Sequence, residues 1–195
     1  MLKTVIVIAC SLVSVYAYVP YIKKTLQGEI KPHFYTWFTC SVVSVLANIL
    51  MFESGGGVGV LPTAIGGVSS VLVACASFKN RGRLTTLDGF FVVLSLAAIP
   101  LWLSVENADV SSVIVSWIMF LAFVPSMFKA LDKPHEENAK QYLISSIRFA
   151  FSCLGLTSFS IATLAFPLTM ALINALIVLC VFIGGTRSKA IDVKI

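Results

Sequence analysis

Seven apolar blocks separated by short polar connections govern what this chain can fold into. They run over about Thr4 to Ile22, Phe34 to Phe52, Val58 to Phe78, Leu87 to Ser104, Val110 to Met127, Gln141 to Ser158 and Thr163 to Ile183. An α-helix needs about 20 residues to cross a bilayer, and each block is close to that length. In lipid, only helices and closed barrels satisfy their own backbone hydrogen bonds. Barrel strands alternate apolar and polar residues, whereas these runs are continuous, so helices are expected. Only 12% of the 195 residues are charged, against about 25% in a soluble domain. The composition excludes a water-facing fold. It predicts an all-α integral membrane protein with the lipid bilayer as its first partner, multi-pass in the cell membrane (the inner membrane if the source is bacterial).

The lysines and arginines fall unevenly between the connections. Placing the blocks as spans puts Lys23, Lys24, Lys31, Lys79, Arg81, Arg83, Lys129, Lys133, Lys140, Arg187, Lys189 and Lys194 on one side. Lys3 alone lies on the other, and Arg148 falls inside the sixth block. Cytoplasmic loops concentrate Lys and Arg. The basic side is therefore expected inside, with the N-terminus outside and the C-terminus inside. This reading accounts for the net charge of +5 without a nucleic-acid partner. The five cysteines, Cys10, Cys40, Cys75, Cys153 and Cys180, all sit in apolar runs with no C-x-x-C pair. Neither a disulfide framework nor a metal site is indicated, and no cofactor is called for.

A register of 105 residues runs through the chain. Val19-Pro20-Tyr21-Ile22-Lys23-Lys24-Thr25-Leu26 aligns with Val124-Pro125-Ser126-Met127-Phe128-Lys129-Ala130-Leu131. The same shift pairs Trp37 with Tyr142, Pro62 with Pro167, Ser69 with Asn174 and Cys75 with Cys180. Such self-similarity marks one structural unit used twice. Blocks one to three form the first unit and five to seven the second, with block four as connector. A single connecting span leaves both units the same way up. The expected division is 1–83, a linker helix over 84–108, a second bundle over 109–186, and a short tail over 187–195. Met1-Leu2-Lys3 before an apolar run, with Val15-Tyr16-Ala17 behind it, also has the form of a signal peptide. Because that run carries the first Val-Pro copy, it is read as a mature helix.

This pattern resembles the PQ-loop/SWEET (MtN3/saliva) superfamily in a small bacterial-type form. The resemblance covers nearly the whole chain: three helices, a linker and three more, an outside N-terminus, and a proline near the inner end of helices one and five. The stretch from Pro20 to Pro32 resembles the family's short basic loop. Where PQ-loop proteins carry glutamine after the proline, this chain has Tyr21 and Ser126. The resemblance implies parallel repeats and a substrate site between them near mid-membrane. It points to Asn174, and by register Ser69 with its neighbour Ser70, as substrate contacts. An amide both donates and accepts hydrogen bonds, which suits hydroxyl-rich or zwitterionic solutes. An interhelical hydrogen bond that merely packs the bundle is the alternative.

Other residues carry readings of their own. Asn48 is a second substrate candidate or a helix-packing amide. Trp37 and Tyr142 are gate aromatics or interfacial anchors. Pro20 and Pro125 are hinges or plain helix stops. Pro62 and Pro167 fit helix starts, and Asp88 a helix cap. Arg148 either contacts an anionic group, snorkels to the headgroups, or pairs with Glu136 or Glu137. His33 and His135 read as loop histidines. No catalytic constellation is present, and the chain is not read as an enzyme. The expected function is alternating-access transport of a small polar solute, sugar before amino acid by resemblance, without proton coupling. The alternative is a non-transporting receptor or assembly partner of the same fold. Assembly into a homo-oligomer is compatible with either.

Overall fold

The computed structural model describes residues 1–192, excepting the side chains of 80, 95, 98, 101–103 and 188–192. The end of the expected tail, with Lys194, lies outside the described residues, as does the side chain of Lys189. Among the described residues every regular element is helical. The helices are α1 (Leu2–Gln27), α2 (Phe34–Met51), α3 (Leu61–Ser77), α4 (Thr86–Ser104), α5 (Ala108–Ala122), α6 (Val124–Asp132), α7 (Ala139–Ser152) and α8 (Ile161–Asp192). Among the described residues four stretches are long and apolar enough to cross a membrane: Leu2–Gln27, Phe34–Ser77, Ala108–Asp132 and Ile161–Arg187. The second of these contains α2, a glycine turn and α3.

Local chemistry sets the helix ends. Gly28, at φ 77°, closes α1. Its N–H donates to Thr25 O, and that of Glu29 donates to Lys24 O, the two bonds of a Schellman ending. His33 Nδ1 accepts from Thr36 N–H at the start of α2, and Asn138 Oδ1 accepts from Gln141 N–H at the start of α7. These caps stand 105 residues apart, so the repeat reaches the capping positions with different side chains. At α4, Thr85 is the cap and Asp88 its reciprocal partner: Asp88 N–H donates to Thr85 Oγ1, and Thr85 N–H to Asp88 Oδ2. That is a capping box, with aspartate in the usual place of glutamate.

The prolines differ from expectation. Neither Pro20 nor Pro125 stops its helix, since the chain stays helical to Gln27 and to Asp132. Only the second copy breaks, at Phe123, which separates α5 from α6. Pro62 stands in the first turn of α3, but Pro167 lies inside α8 rather than at its start. The physical reason is a cap nearly two turns earlier. Ser160 Oγ accepts from Thr163 N–H, and Thr163 Oγ1 accepts from Ser160 N–H. The corresponding positions, Gly55 and Val58, offer no such pair. The sixth block is helical only to Ser152, with a short turn at 153–155. α8 runs on to Asp192, through part of the expected tail.

The packing is paired. α3 lies against both α1 and α2, and α8 against both α5 and α7. Between these groups α1 meets α7, α2 meets α5, α2 touches α8, and α3 touches α7. α4 rests on α2 and α5. The connections gather at two ends. At the basic end, Lys31 N–H donates to Glu136 O, and Tyr35 reaches Gly82 O. At the other end, Thr157 N–H donates to Gly56 O, and Asp109 accepts from Ala162 N–H. Large apolar side chains such as Ile8, Leu12, Val68, Leu72, Leu172 and Leu179 face outward. The interior holds buried serines and threonines, several donating to a carbonyl one turn back, as Ser14, Thr25 and Ser77 do. Such back-bonding satisfies a hydroxyl without a neighbour.

The end opposite the basic loops is sealed backbone to backbone. A Cβ on Gly59 would lie 2.5 Å from Gly155 O and from Leu156 Cα. Gly59→Ala is therefore expected to destabilise the purified protein by about 1–3 kcal/mol, as overpacking does. Thermal unfolding in detergent should fall by several degrees. Gly82→Ala, where a Cβ meets nothing within 4 Å, should leave the transition unmoved.

Candidate functional site at the helix seam

Where α1 meets α7 and α2 meets α5, the core carries a stack of aromatic rings. Trp37 sits at the centre, with ring centroids 5.6 Å from Tyr21, 6.3 Å from Tyr18 and 6.1 Å from Phe123. Tyr21 also meets Tyr142 edge-on at 6.2 Å. All five side chains are buried. Edge and tilted contacts of this kind add to the gain from burial itself. The sequence readings for Trp37 and Tyr142 were gate or anchor; both rings face the interior, not an exposed rim.

A polar chain continues the stack towards the basic loops. Tyr142 Oη donates to Glu137 Oε2 at 3.0 Å. That commits its proton, so Tyr21 is the donor in the 3.3 Å Tyr21–Tyr142 contact. Lys129 Nζ donates to Glu137 Oε1 at 2.8 Å, also bonds Lys31 O, and lies 3.6 Å from Glu136. Glu136 is in turn 3.8 Å from Lys31. Burial pushes the Glu137 carboxyl above its ordinary value, against the opposite pull of Lys129. Next to this cluster, His33 Nε2 stands 3.2 Å from Asp88. Burial lowers the His33 pKa although Asp88 acts the other way.

Deeper in, Arg148 leaves α7 and is only 2% exposed. Its Nη2 donates to Tyr18 Oη at 3.3 Å, and its Nη1 to Pro62 O at 3.3 Å. The guanidinium covers the Phe149 ring at 3.9 Å. Gly66 makes the space, since a Cβ there would lie 3.0 Å from Nη2. Nε has no hydrogen-bond partner. Among the described residues no carboxylate lies within 4.0 Å of the group. An apolar cavity of about 380 Å³ lies alongside, walled by Ile6, Cys10, Val13, Ile147 and Phe151, and its lining includes no carboxylate. Of the readings for Arg148, snorkelling does not describe this buried placement. Pairing with a loop carboxylate does not occur, because Lys129 and Lys31 hold Glu136 and Glu137. A single buried cation costs several kcal/mol unless compensated, and here neutral oxygens and ring faces are its partners.

The remaining candidates do not join this cluster. Asn174 is buried and donates to Met170 O at 2.6 Å, a contact within α8. Ser69 is buried on α3. Ser70 donates to Gly66 O and lies 3.4 Å from Cys40 Sγ. Asn48 bridges α2 and α3, donating to Ser44 O and accepting from Thr63 Oγ1 at 2.7 Å each. Pro20 borders a separate cavity of about 600 Å³ between α1 and α7, with Lys24 and Gln141 on its wall. Pro125 is buried beside the Phe123 break. Sequence reasoning did not single out Tyr18, Lys129 or Glu137 as site residues. One signal was present: the 105-residue register pairs Tyr18 with Phe123 and Lys24 with Lys129.

No protein-family model matches the chain, and neither a curated protein nor a solved structure matches it.

The raised Glu137 pKa fixes the sign of a pH effect. A carboxyl raised above its unfolded value of about 4.3 stabilises the fold fully below that value, and this stability is lost as pH rises through the raised one. His33, lowered by burial, acts in the other direction: its contribution is present above about 6.5 and lost as pH falls. Thermal unfolding of wild type and Glu137→Gln in detergent from pH 4 to pH 8 separates the two. The expected outcome is that the stability of the variant relative to wild type climbs as pH rises. Parallel curves would contradict a buried, titrating Glu137.

Proposed function

We propose that the chain is a membrane transporter. In this reading, α1–α3 and α5–α8 are two three-helix units, α5 and α6 together forming one span, with α4 as the linker. Both units stand the same way up, with the basic end in the cytoplasm and the N-terminus outside. A small polar solute of sugar size moves between them by alternating access, as a facilitator. The observation that carries this is the exchange symmetry of the seam. Swapping units turns the α1–α7 contact into the α5–α2 contact, and α2–α8 into α7–α3. A pseudo-two-fold axis along the membrane normal produces that pattern and is a known transporter plan.

Both ends of the seam are closed, which fits an occluded state. The aromatic stack and the Lys129–Glu137–Tyr142 chain close the basic end, and the Gly59–Gly155 contact closes the other. Rocking of one unit against the other would open them in turn, because each closure joins residues from both units. The residues nearest the closures, not the caps or the outer faces, are then the ones that set rate.

The test is flux. Pure protein in liposomes is expected to give saturable uptake of labelled sugars, amino acids or their acidic relatives. Trp37→Ala, which removes the centre of the stack, should change the uptake rate at least several-fold while the protein still unfolds cooperatively. Ligand-dependent stabilisation with no flux would indicate a receptor instead. A C-terminal tag labelled from outside intact cells would overturn the proposed orientation.

A further inference from the structure

We infer that Arg148 is the receptor for a negative charge on the solute, and that the solute is a small organic monoanion carrying a carboxylate. The inference rests on the transport reading and narrows its solute from polar to acidic. Four features of the seam lead to it.

First, the guanidinium is buried with no carboxylate within 4.0 Å among the described residues, and its Nε–H has no acceptor among them. Second, its hydrogen bonds go to neutral oxygens on α1 and α3, the Tyr18 hydroxyl and the Pro62 carbonyl. Arg148 itself projects from α7, across the seam. Any motion that parts α7 from α1 and α3 breaks both bonds together and leaves a bare cation facing the opened path. Third, the neighbouring cavity is lined by apolar side chains and the Cys10 thiol, so it offers no carboxylate and only a weak acceptor. Fourth, position 148 corresponds in the repeat to Val43, which is equally buried. The scaffold fills this place with an aliphatic residue in one half, so a charge is not needed for packing.

The chemistry of the group defines the ligand. A guanidinium presents a rigid fork of N–H donors that matches the two oxygens of a carboxylate. Arginine stays protonated near neutral pH, and a carboxylic acid is ionised there, so both partners carry the charge that the pairing needs. Lys3 is bonded to Leu156 O at the far end, and Lys129 is engaged by Glu136 and Glu137. Among the described residues Arg148 is the buried cation with no carboxylate within 4.0 Å, and its one positive charge neutralises one negative charge, hence a monoanion. The solute carboxylate takes the donors that Tyr18 and Pro62 hold in the closed form. It thereby favours the conformation in which α7 has separated from α1 and α3. Tyr18 also packs on Trp37, so losing its contact with Arg148 loosens the edge of the aromatic closure. Solute binding and gate opening are linked through that one ring.

The experiment compares each acid with its neutral counterpart: lactate with glycerol, and gluconate with glucose. In proteoliposomes, uptake of the acids is expected to exceed that of the neutral partners at least tenfold. An inside-positive potential set with potassium and valinomycin should accelerate it. In detergent, sodium lactate or gluconate should raise the unfolding temperature above that in sodium chloride. Arg148→Gln should abolish both effects, and Arg148→Lys should retain part of them. Glucose or glycerol uptake without acid uptake, or acid uptake untouched in Arg148→Gln, overturns this inference and leaves the transporter. Stabilisation by the acids without any flux supports the anion site and removes the transporter. The wild-type selectivity decides the matter even where Arg148→Gln fails to fold. Neither flux nor stabilisation with any of the four compounds sinks the anion site.

Discussion

The structure depends on satisfying most of its buried polar groups in surroundings that supply few partners. In water a stray hydroxyl or carbonyl finds a solvent molecule; in an apolar interior it costs free energy until another protein group reaches it. The helices meet this mostly within themselves. Ser14, Thr25, Ser70 and Ser77 each return a hydroxyl proton to a carbonyl of the preceding turn, and Asn174 does the same with its amide. Because those groups ask nothing of their neighbours, helix faces can slide or separate without exposing an unmet donor. Cohesion between helices is left to shape, to small residues such as Gly59 and Gly66, and to a handful of bonds that cross the seam.

One continuous line of contacts runs along the seam. Lys129 and Glu137 stand at the mouth of the basic end, Tyr142 and Tyr21 just below, Trp37 and Tyr18 beneath them, and Arg148 deepest. Each touches the next, so the line runs from loops to buried core without a gap. Its members come from α1, α2, α6 and α7, and it therefore reports on the relative position of all four. A rigid fold would more simply fill this volume with aliphatic side chains. Replacing buried ionic groups by packed apolar ones is often neutral or stabilising. Stability alone does not call for them at this place.

Much of the scaffold is legible in the sequence, and the reasons are local. Apolar blocks near bilayer length locate the helices, because hydropathy acts over a whole turn-by-turn face. Gly28 and the Gly55–Gly57 run mark a stop and a turn through backbone freedom alone. What stays hidden is decided by contacts between distant segments. Glu137 lies in a loop by sequence, and only the fold buries it against Lys129 and Tyr142. The pairing partner expected for Arg148 was a glutamate eleven or twelve residues away; the fold gives those glutamates to lysines and gives Arg148 a tyrosine 130 positions distant. Pro167 reads as a helix start by analogy with Pro62, but the Ser160–Thr163 pair starts the helix nearly two turns before it. Asn174 is visible as a polar residue in an apolar run, and its bond to Met170 is equally a property of an isolated helix.

The two halves of the register keep some features and discard others, and the division is informative. Retained pairs are structural: the Val-Pro steps, the helical extensions that end at Gln27 and Asp132, and the caps at His33 and Asn138. The pairs that diverge include the seam positions. Tyr21 corresponds to Ser126, Pro32 to Glu137 and Val43 to Arg148. Simple electrostatics gives a reason for the last. Two guanidiniums at symmetric, buried positions would repel each other in a low-dielectric interior, where interactions between charges are only weakly attenuated. A single cation avoids that repulsion. The same reasoning covers Glu137, whose counterpart Pro32 carries no charge, so that Lys129 alone suffices to balance the buried carboxylate. In the transport reading proposed above, duplication supplies a symmetric frame, and the chemistry at its axis works only once that symmetry is broken.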